Sequence, residues 1–544
     1  MALAAATASD GEIARLLRNR DWRAAYDICR VRTAENRDDA VALAGLATIA
    51  EAHGNLAKAL PFLEQAYAAA PKNHDIAAQY ARLLSLLSRG EDAERVAGAA
   101  LADDPQDPQV LEALGVVLSR AGRHDEAAET FAKVVERRPD HHAGWRNYAS
   151  ALKFCGRFAD AEGAYDRAIA LAPDDAEAWL AKTGLRRQTA ADDPTPALVA
   201  LWEARGDDPD QALRIGHALA KTAEDLGDRA SAMEWLAKAK REKARIVHHD
   251  PDTTDRLYAA AAQTCTPGDL PAAQGLSGVS PIFVVGAPRT GTTLVDRILS
   301  SHPELLSVGE SPALSLGIKR LSGTRSNRVL DLETLAVARE LVPEAIGRAY
   351  VDAIAAAPGM TPALRSVDKM PLNLLYAGLA HRALPDARIV RLRRHPLDAV
   401  LANWRQLFAP RFGHYDHNWS LDHVARWIVA VERLAAHWRA TLPPDRYFEI
   451  GYEDIIADQE ARTRQLLDFV GVAWDERCLR FHENEAPVST ASAVQVRQPL
   501  HSRSVGAWRG VADHLKPAID ILHDAGLIDA HGDPAGVAAR SVND

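Results

Sequence analysis

Apolar positions in the first 245 residues follow a helical spacing that repeats every 34 residues. Each period ends in a proline, at Pro71, Pro105, Pro139 and Pro173. An alanine stands twelve residues before each proline, and a glycine or serine stands seventeen before it. A small residue lets two helices pack closely, glycine permits a tight turn between them, and proline ends the second helix. The pattern predicts an all-α solenoid over residues 1–245, with an irregular unit after Pro173.

The residues at these fixed offsets resemble those of the tetratricopeptide repeat (TPR). The small residues are Ala59, Ala93, Ala127 and Ala161, and the turn residues are Gly54, Ser88, Gly122 and Gly156. Fragments such as GRHDEAAETFAKVVERRP share both the period and the residue types of that repeat. The resemblance implies a concave surface that binds a protein or peptide, with self-association into a homo-oligomer as the other use.

From Pro281 the pattern changes to short β-rich runs that alternate with helical stretches. The runs are IFVVG, LRSVDKM, RIVRLRR and RYFEIGYED. Strands alternating with helices predict a central parallel sheet covered on both faces, which is a three-layer α/β domain. We expect this domain at 281–525, after a linker at 246–280 and before a C-terminal tail at 526–544. Ligands of such sheets bind beyond the carboxyl ends of the strands.

The first β-rich run leads into a P-loop-like segment with the sequence GAPRTGTT, which begins at Gly286. Backbone N–H groups of such a loop and of the following helix N-terminus bind anions. The candidate anion-binding residues are Pro288, Arg289, Thr290, Gly291, Thr292 and Thr293. Thr292 stands where P-loop kinases place a lysine, so a P-loop kinase is a weaker alternative.

The segment resembles the 5'-phosphosulfate-binding motif of sulfotransferases that use PAPS, 3'-phosphoadenosine 5'-phosphosulfate. The resemblance extends over about residues 281–515, and it is strongest to the branch of tyrosylprotein and bacterial repeat-linked sulfotransferases. It implies PAPS as co-substrate and no metal. In LLSVGESPAL, Glu310 matches the catalytic base. In RSVDKMPLNLLY, Lys369 matches the cation near the bridging oxygen of the leaving phosphate.

The second family motif is matched in part by RIVRLRRHPLDAVLANW. Arg394 matches the arginine that binds the 3'-phosphate, and it ends a basic cluster with Arg391 and Arg393. Position 402 holds alanine where the motif has a serine, and Asn403 stands beside it. The alternatives are that Asn403 or a neighbouring side chain compensates, or that the phosphate depends on arginines.

Two later segments complete the resemblance. In YFEIGYED, Tyr452 matches a tyrosine near the nucleotide. The run ENEAPVSTASAVQVRQPLHSRSVGAWRG resembles a late loop that closes over the donor. It implies Ser489 and Arg497 as donor ligands and Ser492 as a serine that stabilises the departing charge.

Composition and charge narrow the classes of function and of cellular location that fit this chain. The net charge is -10, so the chain as a whole has no electrostatic case for nucleic-acid binding. Four cysteines lie far apart, without the spacing of a metal site or a disulfide framework. No signal peptide or transmembrane span is predicted, which favours a cytoplasmic protein.

These observations predict a PAPS-dependent sulfotransferase. The acceptor is a hydroxyl of a protein tyrosine, a carbohydrate or a small molecule, and the repeats recruit the substrate or another protein. The alternatives are a TPR scaffold with an inactive nucleotide-binding domain and, more weakly, the P-loop kinase. Ala402 favours the scaffold, whereas Arg289, Glu310 and Lys369 together favour the enzyme.

Overall fold

The computed structural model describes residues 9–87, 89–269, 275–326, 328–408, 413–484, 486 and 495–535. The chain forms two compact units, Met1–Arg205 and Gly206–Asp544. No helix among these described residues is long and apolar enough to cross a membrane.

The described residues of the first unit form helices and the turns between them. In chain order they are α1 (Asp10–Arg18), α2 (Trp22–Glu35), α3 (Ala40–Ala52), α4 (Leu56–Ala69), α5 (His74–Leu86), α6 (Gly90–Ala102), α7 (Pro108–Arg120), α8 (His124–Arg137), α9 (His142–Phe154), α10 (Phe158–Leu171), α11 (Ala176–Thr183) and α12 (Thr195–Arg205). They form the helix pairs that the 34-residue period predicts.

Residue chemistry explains the boundaries of these helices. Asn55 begins α4 because its side chain accepts a hydrogen bond from the backbone N–H of Lys58. The turn before it needs a left-handed residue, and Gly54 supplies it with φ of 74°. The periodic alanines are buried between helices; Ala59 and Ala127 are both 0% exposed. The α-solenoid prediction is confirmed.

The second unit contains a parallel sheet of five strands. The strands are β1 (Ile282–Gly286), β2 (Leu305–Gly309), β3 (Arg365–Asp368), β4 (Arg388–Arg393) and β5 (Tyr447–Gly451), in the order β2-β3-β1-β4-β5. Side chains of β1 alternate between two buried clusters: Phe283 and Val285 join one, while Ile282 and Val284 join the other. The sheet is therefore covered on both faces, and the prediction of a three-layer α/β fold is confirmed.

Strand β2 was missing from the sequence prediction. It is a short edge strand, and only Leu305 among its five residues is fully buried. Ser307 and Gly309 interrupt its apolar run. A partly exposed edge strand lacks the continuous apolar signal that marks strands buried on both faces.

The helices of the second unit pack around this sheet. They are α13 (Pro209–Asp225), α14 (Arg229–Ala244), α15 (Pro251–Gln263), α16 (Thr292–Ser300), α17 (Ala313–Ser322), α18 (Leu332–Ala338), α19 (Pro343–Ala355), α20 (Ala377–Ala383), α21 (Pro396–Trp404), α22 (Leu421–Thr441), α23 (Tyr452–Ala457), α24 (Gln459–Val470) and α25 (Lys516–Asp524). Short 3-10 segments cover Pro371–Tyr376, Asp416–Trp419, Glu476–Glu483, Gln495–Arg497 and Ala507–Leu515.

The helix pair α13 and α14 belongs to the second unit, although the repeat pattern of the sequence extends through it. Met233 and Leu236 of α14 share a buried cluster with Phe283 of β1. Residues 246–280, expected to link two domains, include helix α15. Trp427 of α22 donates a hydrogen bond from Nε1 to the hydroxyl of Tyr258 on α15 at 2.8 Å. These helices use their apolar faces to cover the α/β core.

Candidate active site

The P-loop-like segment connects β1 to α16 through a backbone that only certain residues adopt. Gly291, the N-cap residue before α16, has φ of 106°, and Arg289 has φ of 66°. A Cβ atom at Gly291 would lie 2.7 Å from Cδ2 of Tyr452, so glycine also permits the close approach of that ring. Thr292 and Thr293 occupy the first turn of α16, where backbone N–H groups lack helical acceptors. The segment has the geometry of an anion-binding helix N-terminus.

Side chains from other elements hold the carbonyls of this loop. Nδ2 of Asn403 donates to the carbonyl of Pro288 at 2.9 Å, and Nη1 of Arg394 donates to the carbonyl of Arg289 at 2.7 Å. Within the loop, Oγ1 of Thr290 donates to the carbonyl of Ala287 at 2.7 Å. Asn403 thus occupies a site position next to Ala402, the residue that departs from the family motif.

Two positive charges meet at this loop. Burial lowers the pKa of the Arg289 guanidinium, and the neighbouring charge of Arg394 lowers it further. The Arg394 guanidinium lies 5.0 Å from the centre of the Tyr452 ring. Like charges held together at a helix N-terminus favour a bound anion, because an anion stabilises both.

Ser504 connects Arg394 and Tyr452, and the sequence prediction did not include it. Its carbonyl accepts from Nη2 of Arg394 at 2.7 Å, and its hydroxyl lies 2.9 Å from the hydroxyl of Tyr452. Asp398 holds the same late segment, because its carboxylate accepts from the N–H of Gly506 at 2.6 Å and of Trp508 at 3.0 Å. A short run such as SRSVG contains no signal strong enough to predict these contacts.

Glu310 and Lys369 meet at the ends of β2 and β3. Nζ of Lys369 lies 2.5 Å from Oε1 of Glu310, and the N–H of Lys369 donates to the carbonyl of Gly309 at 2.9 Å. The Lys369 side chain is 1% exposed and the Glu310 side chain 45% exposed. The lysine is therefore held inside the fold, while the carboxylate reaches solvent.

Two buried carboxyl groups lie near this pair. Burial raises the pKa of Asp296, on α16, to about 6, although the charge of Lys369 opposes the rise and that of Glu310 adds to it. Burial also raises the pKa of Asp368 well above its usual value. The sequence analysis did not include either residue, because an isolated aspartate in an apolar run is not a recognisable motif.

The other predicted residues occupy different surroundings. Arg391 belongs to the basic cluster in sequence only: it is buried and paired with Glu432 and, at 3.4 Å, with Glu449. Although burial opposes it, those carboxylates hold the pKa of Arg391 above its usual value. Arg497 is exposed, and its charge helps to lower the pKa of Arg297 after the effect of burial.

Two predicted serines, Ser489 and Ser492, lie outside the described residues. A cleft of about 1260 Å³ follows β5 at the sheet edge and shares only Arg394 with the predicted donor ligands. Within the described ranges, no group of three or more His, Cys, Asp or Glu residues has the arrangement of a metal site.

Comparison with known proteins finds a family match within each half of the chain. Residues 281–476 match the sequence profile of the Sulfotransferase family, and residues 50–116 and 118–185 match the profile of the Tetratricopeptide repeat. An uncharacterized protein of Aquifex aeolicus strain VF5 is 27% identical over 414 residues, which cover 75% of this chain and 54% of that protein.

A protein-tyrosine sulfotransferase of Drosophila melanogaster is 26% identical over 245 residues, covering 42% of this chain and 47% of that enzyme. The chain thus spans about half the length of these two curated relatives. Among solved structures, the sulfotransferase domain of the Synechococcus PCC 7002 olefin synthase matches at 19% identity with a TM-score of 0.32, over 44% of this chain and 94% of that domain.

Proposed function

We propose that this chain, in which a sulfotransferase-family domain follows tetratricopeptide repeats, moves the sulfuryl group of PAPS to an acceptor hydroxyl. The pairing of Lys369 with Glu310, 2.5 Å apart at two strand ends, carries the proposal. Sulfuryl transfer needs a carboxylate that takes the acceptor proton and a cation that stabilises charge on the leaving oxygen. These two residues supply both groups.

The residues of the P-loop-like segment fit an anionic donor. PAPS carries a phosphosulfate and a 3'-phosphate, and it supplies the sulfuryl group when bound. We assign residues 288–293 to the phosphosulfate, because backbone N–H groups and two threonines meet there. We assign Arg394 to the 3'-phosphate and Tyr452 to the nucleotide beside it. The clustering of the Arg289 and Arg394 charges at the loop supports this assignment.

In the proposed reaction, the bonds formed and broken and the proton transferred balance as follows. The acceptor oxygen forms a bond to sulfur, the bond from sulfur to the phosphate oxygen breaks, and Glu310 receives the hydroxyl proton. Lys369 stays protonated and faces the oxygen that gains charge. A half-exposed carboxylate suits an acceptor that approaches from solvent, whereas a buried ammonium suits a fixed donor. The proposal needs no metal, because protein cations and N–H groups supply the charge stabilisation.

The late loop completes the proposed donor site. We retain Ser489 and Arg497 as donor ligands and Ser492 as a hydroxyl near the departing charge. Ser504, which comes after these residues in the chain, contacts Arg394 and Tyr452 and so holds its own segment against the site. These contacts support the proposal that the late loop closes over the donor.

The relatives of the C-terminal half suggest the acceptor, and the N-terminal repeats suggest the partners. The relatives named as protein-tyrosine sulfotransferases favour a protein acceptor, and a carbohydrate or small-molecule hydroxyl remains the alternative. We assign the repeats to binding of that protein or of a second copy. All four cysteines are free thiols, which supports a cytoplasmic, reducing location.

Transfer of labelled sulfate from PAPS tests the proposal directly. The full chain is incubated with sulfur-labelled PAPS and pooled peptide, sugar and phenol acceptors, beside the Glu310→Gln and Lys369→Met variants. We expect labelled product from the native chain and at least a hundredfold less from each variant. Failure of the native chain to bind PAPS in calorimetry contradicts the proposal. Binding without transfer to any acceptor favours the scaffold with an inactive nucleotide-binding domain.

A further inference from the structure

Lys240 is a fully buried lysine on α14, in the helix pair that continues the repeat pattern. Its Nζ donates to the carbonyl of Asn418 at 3.1 Å and, at 3.4 Å, to that of Gln406. The same nitrogen lies 4.6 Å from the centre of the Trp404 ring and 6.0 Å from that of Trp419. Two carbonyls and two indole rings therefore surround one ammonium group.

The cost of burying this ammonium is high. Burial lowers the pKa of Lys240 well below its usual value. The neighbouring titratable groups are imidazoles: His217 on α13 and His417 both interact electrostatically with Lys240, and burial lowers their pKa values too. The contacts described for Lys240 are two carbonyls and two indole rings, and burial accounts for its lowered pKa. A methionine of similar length would fill this space without the desolvation cost, so packing alone does not explain a lysine.

The backbone that Lys240 holds leads to the candidate active site. We call residues 405–408 and 413–419 the wall segment. Gln406 N–H donates to the carbonyl of Asn403 at 3.0 Å, and Nδ2 of Asn403 donates in turn to the carbonyl of Pro288 in the donor loop. At its other end, burial raises the pKa of Tyr415, and the charge of Glu310 adds to this rise. Tyr415, in the wall segment, is therefore within electrostatic range of the proposed base.

Side chains within the wall segment connect its two arms, residues 405–408 and residues 413–419. Nδ2 of Asn418 donates to the carbonyl of Gln406 at 2.8 Å, and that carbonyl is also the second acceptor of Lys240. Phe408 and Tyr415 stack with ring centres 4.1 Å apart. The helix pair makes a second contact here, because Nη1 of Arg405 lies 3.1 Å from Oε1 of Glu224 on α13. The last helix pair thus supports both arms.

We propose that Lys240 is a positioning residue that holds the wall segment in place and so sets the geometry of acceptor binding at Glu310. The proposal rests on the proposed function, since it assigns the acceptor to the Glu310 side of the site. Lys240 contacts no reacting atom and acts through the carbonyls of Gln406 and Asn418. The helix pair at the end of the repeat pattern is therefore part of the catalytic unit.

The test compares Lys240→Met with Lys238→Met in the full chain. Lys238 is a matched control, because it is on the same helix and its Nζ lies 4.4 Å from the centre of the Trp235 ring. Hydrogen exchange is measured for peptides covering 403–408, 413–419 and, as an internal reference, 282–300. Acceptor KM and kcat are measured with the acceptor found in the transfer screen, and binding of the product nucleotide is measured by calorimetry.

For Lys240→Met we expect exchange in the wall segment to rise at least about fivefold and acceptor KM to rise about tenfold, with nucleotide Kd changed less than about threefold. Lys238→Met should match the native chain. Unchanged exchange in the wall segment overturns the proposal, and so does raised exchange with an unchanged acceptor KM.

A second variant keeps the test valid if Lys240→Met does not fold. Asn418→Ala removes the donor to the Gln406 carbonyl and leaves Lys240 in place, so the same two shifts are expected at smaller size. A native chain that transfers nothing to any acceptor contradicts the proposed function. The support of the wall segment is then judged by exchange alone, which needs no substrate.

Discussion

Nζ of Lys369 lies 2.5 Å from Oε1 of Glu310, and the pair connects the carboxyl ends of the neighbouring strands β3 and β2. The two residues are 59 positions apart in the chain. Each is the natural counter-charge of the other before substrates bind, because a buried ammonium needs a partner. A bound donor anion would compete for Lys369 and leave Glu310 available for the acceptor proton.

Glu310→Gln should abolish most transfer and leave donor binding intact. The amide keeps the size of the side chain but cannot take a proton, so kcat should fall about 100-fold to 10,000-fold. Labelled transfer gives kcat, and calorimetry with the product nucleotide gives Kd. Glu304→Gln is the matched control, since Glu304 is an exposed glutamate just before β2. Equal activity of the two variants would exclude Glu310 as the base.

Arg394→Met should weaken nucleotide binding about 10-fold to 100-fold, the cost of losing a charged hydrogen bond to a phosphate. Part of this loss comes from the loop, because Arg394 also donates to the carbonyl of Arg289. Calorimetry at several salt concentrations should show a smaller salt dependence for the variant. Arg393→Met is the control: its guanidinium lies 3.8 Å from Asp454 and is 34% exposed. Comparable losses in both variants would argue against a specific role for Arg394.

Gly291→Ala should disrupt the donor loop. The new Cβ would lie 2.7 Å from Cδ2 of Tyr452, and the φ of 106° is unfavourable for alanine. We expect nucleotide affinity to fall at least tenfold. Gly54→Ala separates the two causes, because Gly54 has φ of 74° with no atom within 4 Å of the added Cβ. That control should lose about 1–2 kcal/mol of stability and no nucleotide affinity. Unchanged nucleotide affinity in the Gly291→Ala variant would show that the Tyr452 ring moves aside without disturbing the donor loop.

Asp296→Asn should stabilise the protein at high pH and not at low pH. Asp296 has a pKa of about 6 in the fold against 3.8 for an exposed aspartate. Below about pH 4 both states bind the proton; between about pH 4 and 6 the folded state binds more, so stability falls as pH rises. At about 1.4 kcal/mol for each pH unit, the cost above pH 6 reaches about 3 kcal/mol.

Denaturant unfolding at pH 4 and pH 8 measures this difference. The asparagine variant should exceed the native chain in free energy of unfolding at pH 8 and approach it at about pH 4. Asp524→Asn changes a side chain that is 85% exposed and should show no such pH dependence. A constant difference at both pH values would show that the Asp296 charge does not oppose folding.

Asn403→Ala should loosen the donor loop even though the residue lies outside the matched motif positions. The carbonyl of Pro288 would lose its donor, which costs about 1–3 kcal/mol for a buried group. Ala402→Ser, which restores the motif residue, is the companion variant. We expect lower thermal stability and weaker nucleotide binding for Asn403→Ala only. If Ala402→Ser changed nucleotide binding more than Asn403→Ala, the role in donor binding would be assigned to position 402 instead of Asn403.

Local chemistry determined the features that the sequence predicts by itself. Small residues, turn glycines and prolines mark the 34-residue period, and the structure confirms the helix pairs that it predicts. Strands β1, β3, β4 and β5 follow apolar runs, and the resemblance to sulfotransferases and TPR proteins is confirmed by the family matches. Each of these signals depends on neighbours within a few residues, where the hydrophobic period and the turn chemistry act.

Only the tertiary structure decided which of the predicted residues meet. The contact of Lys369 with Glu310 depends on the order β2-β3-β1, and β2 is an edge strand that carries little apolar signal. Asn403 reaches Pro288 from 115 residues away, and Lys240 reaches Asn418 across 178 residues. Arg391 and Arg394 look alike in sequence, yet one is buried against carboxylates and the other faces the donor loop. Contacts over such separations depend on how the elements pack, and no local pattern of residue types encodes that packing.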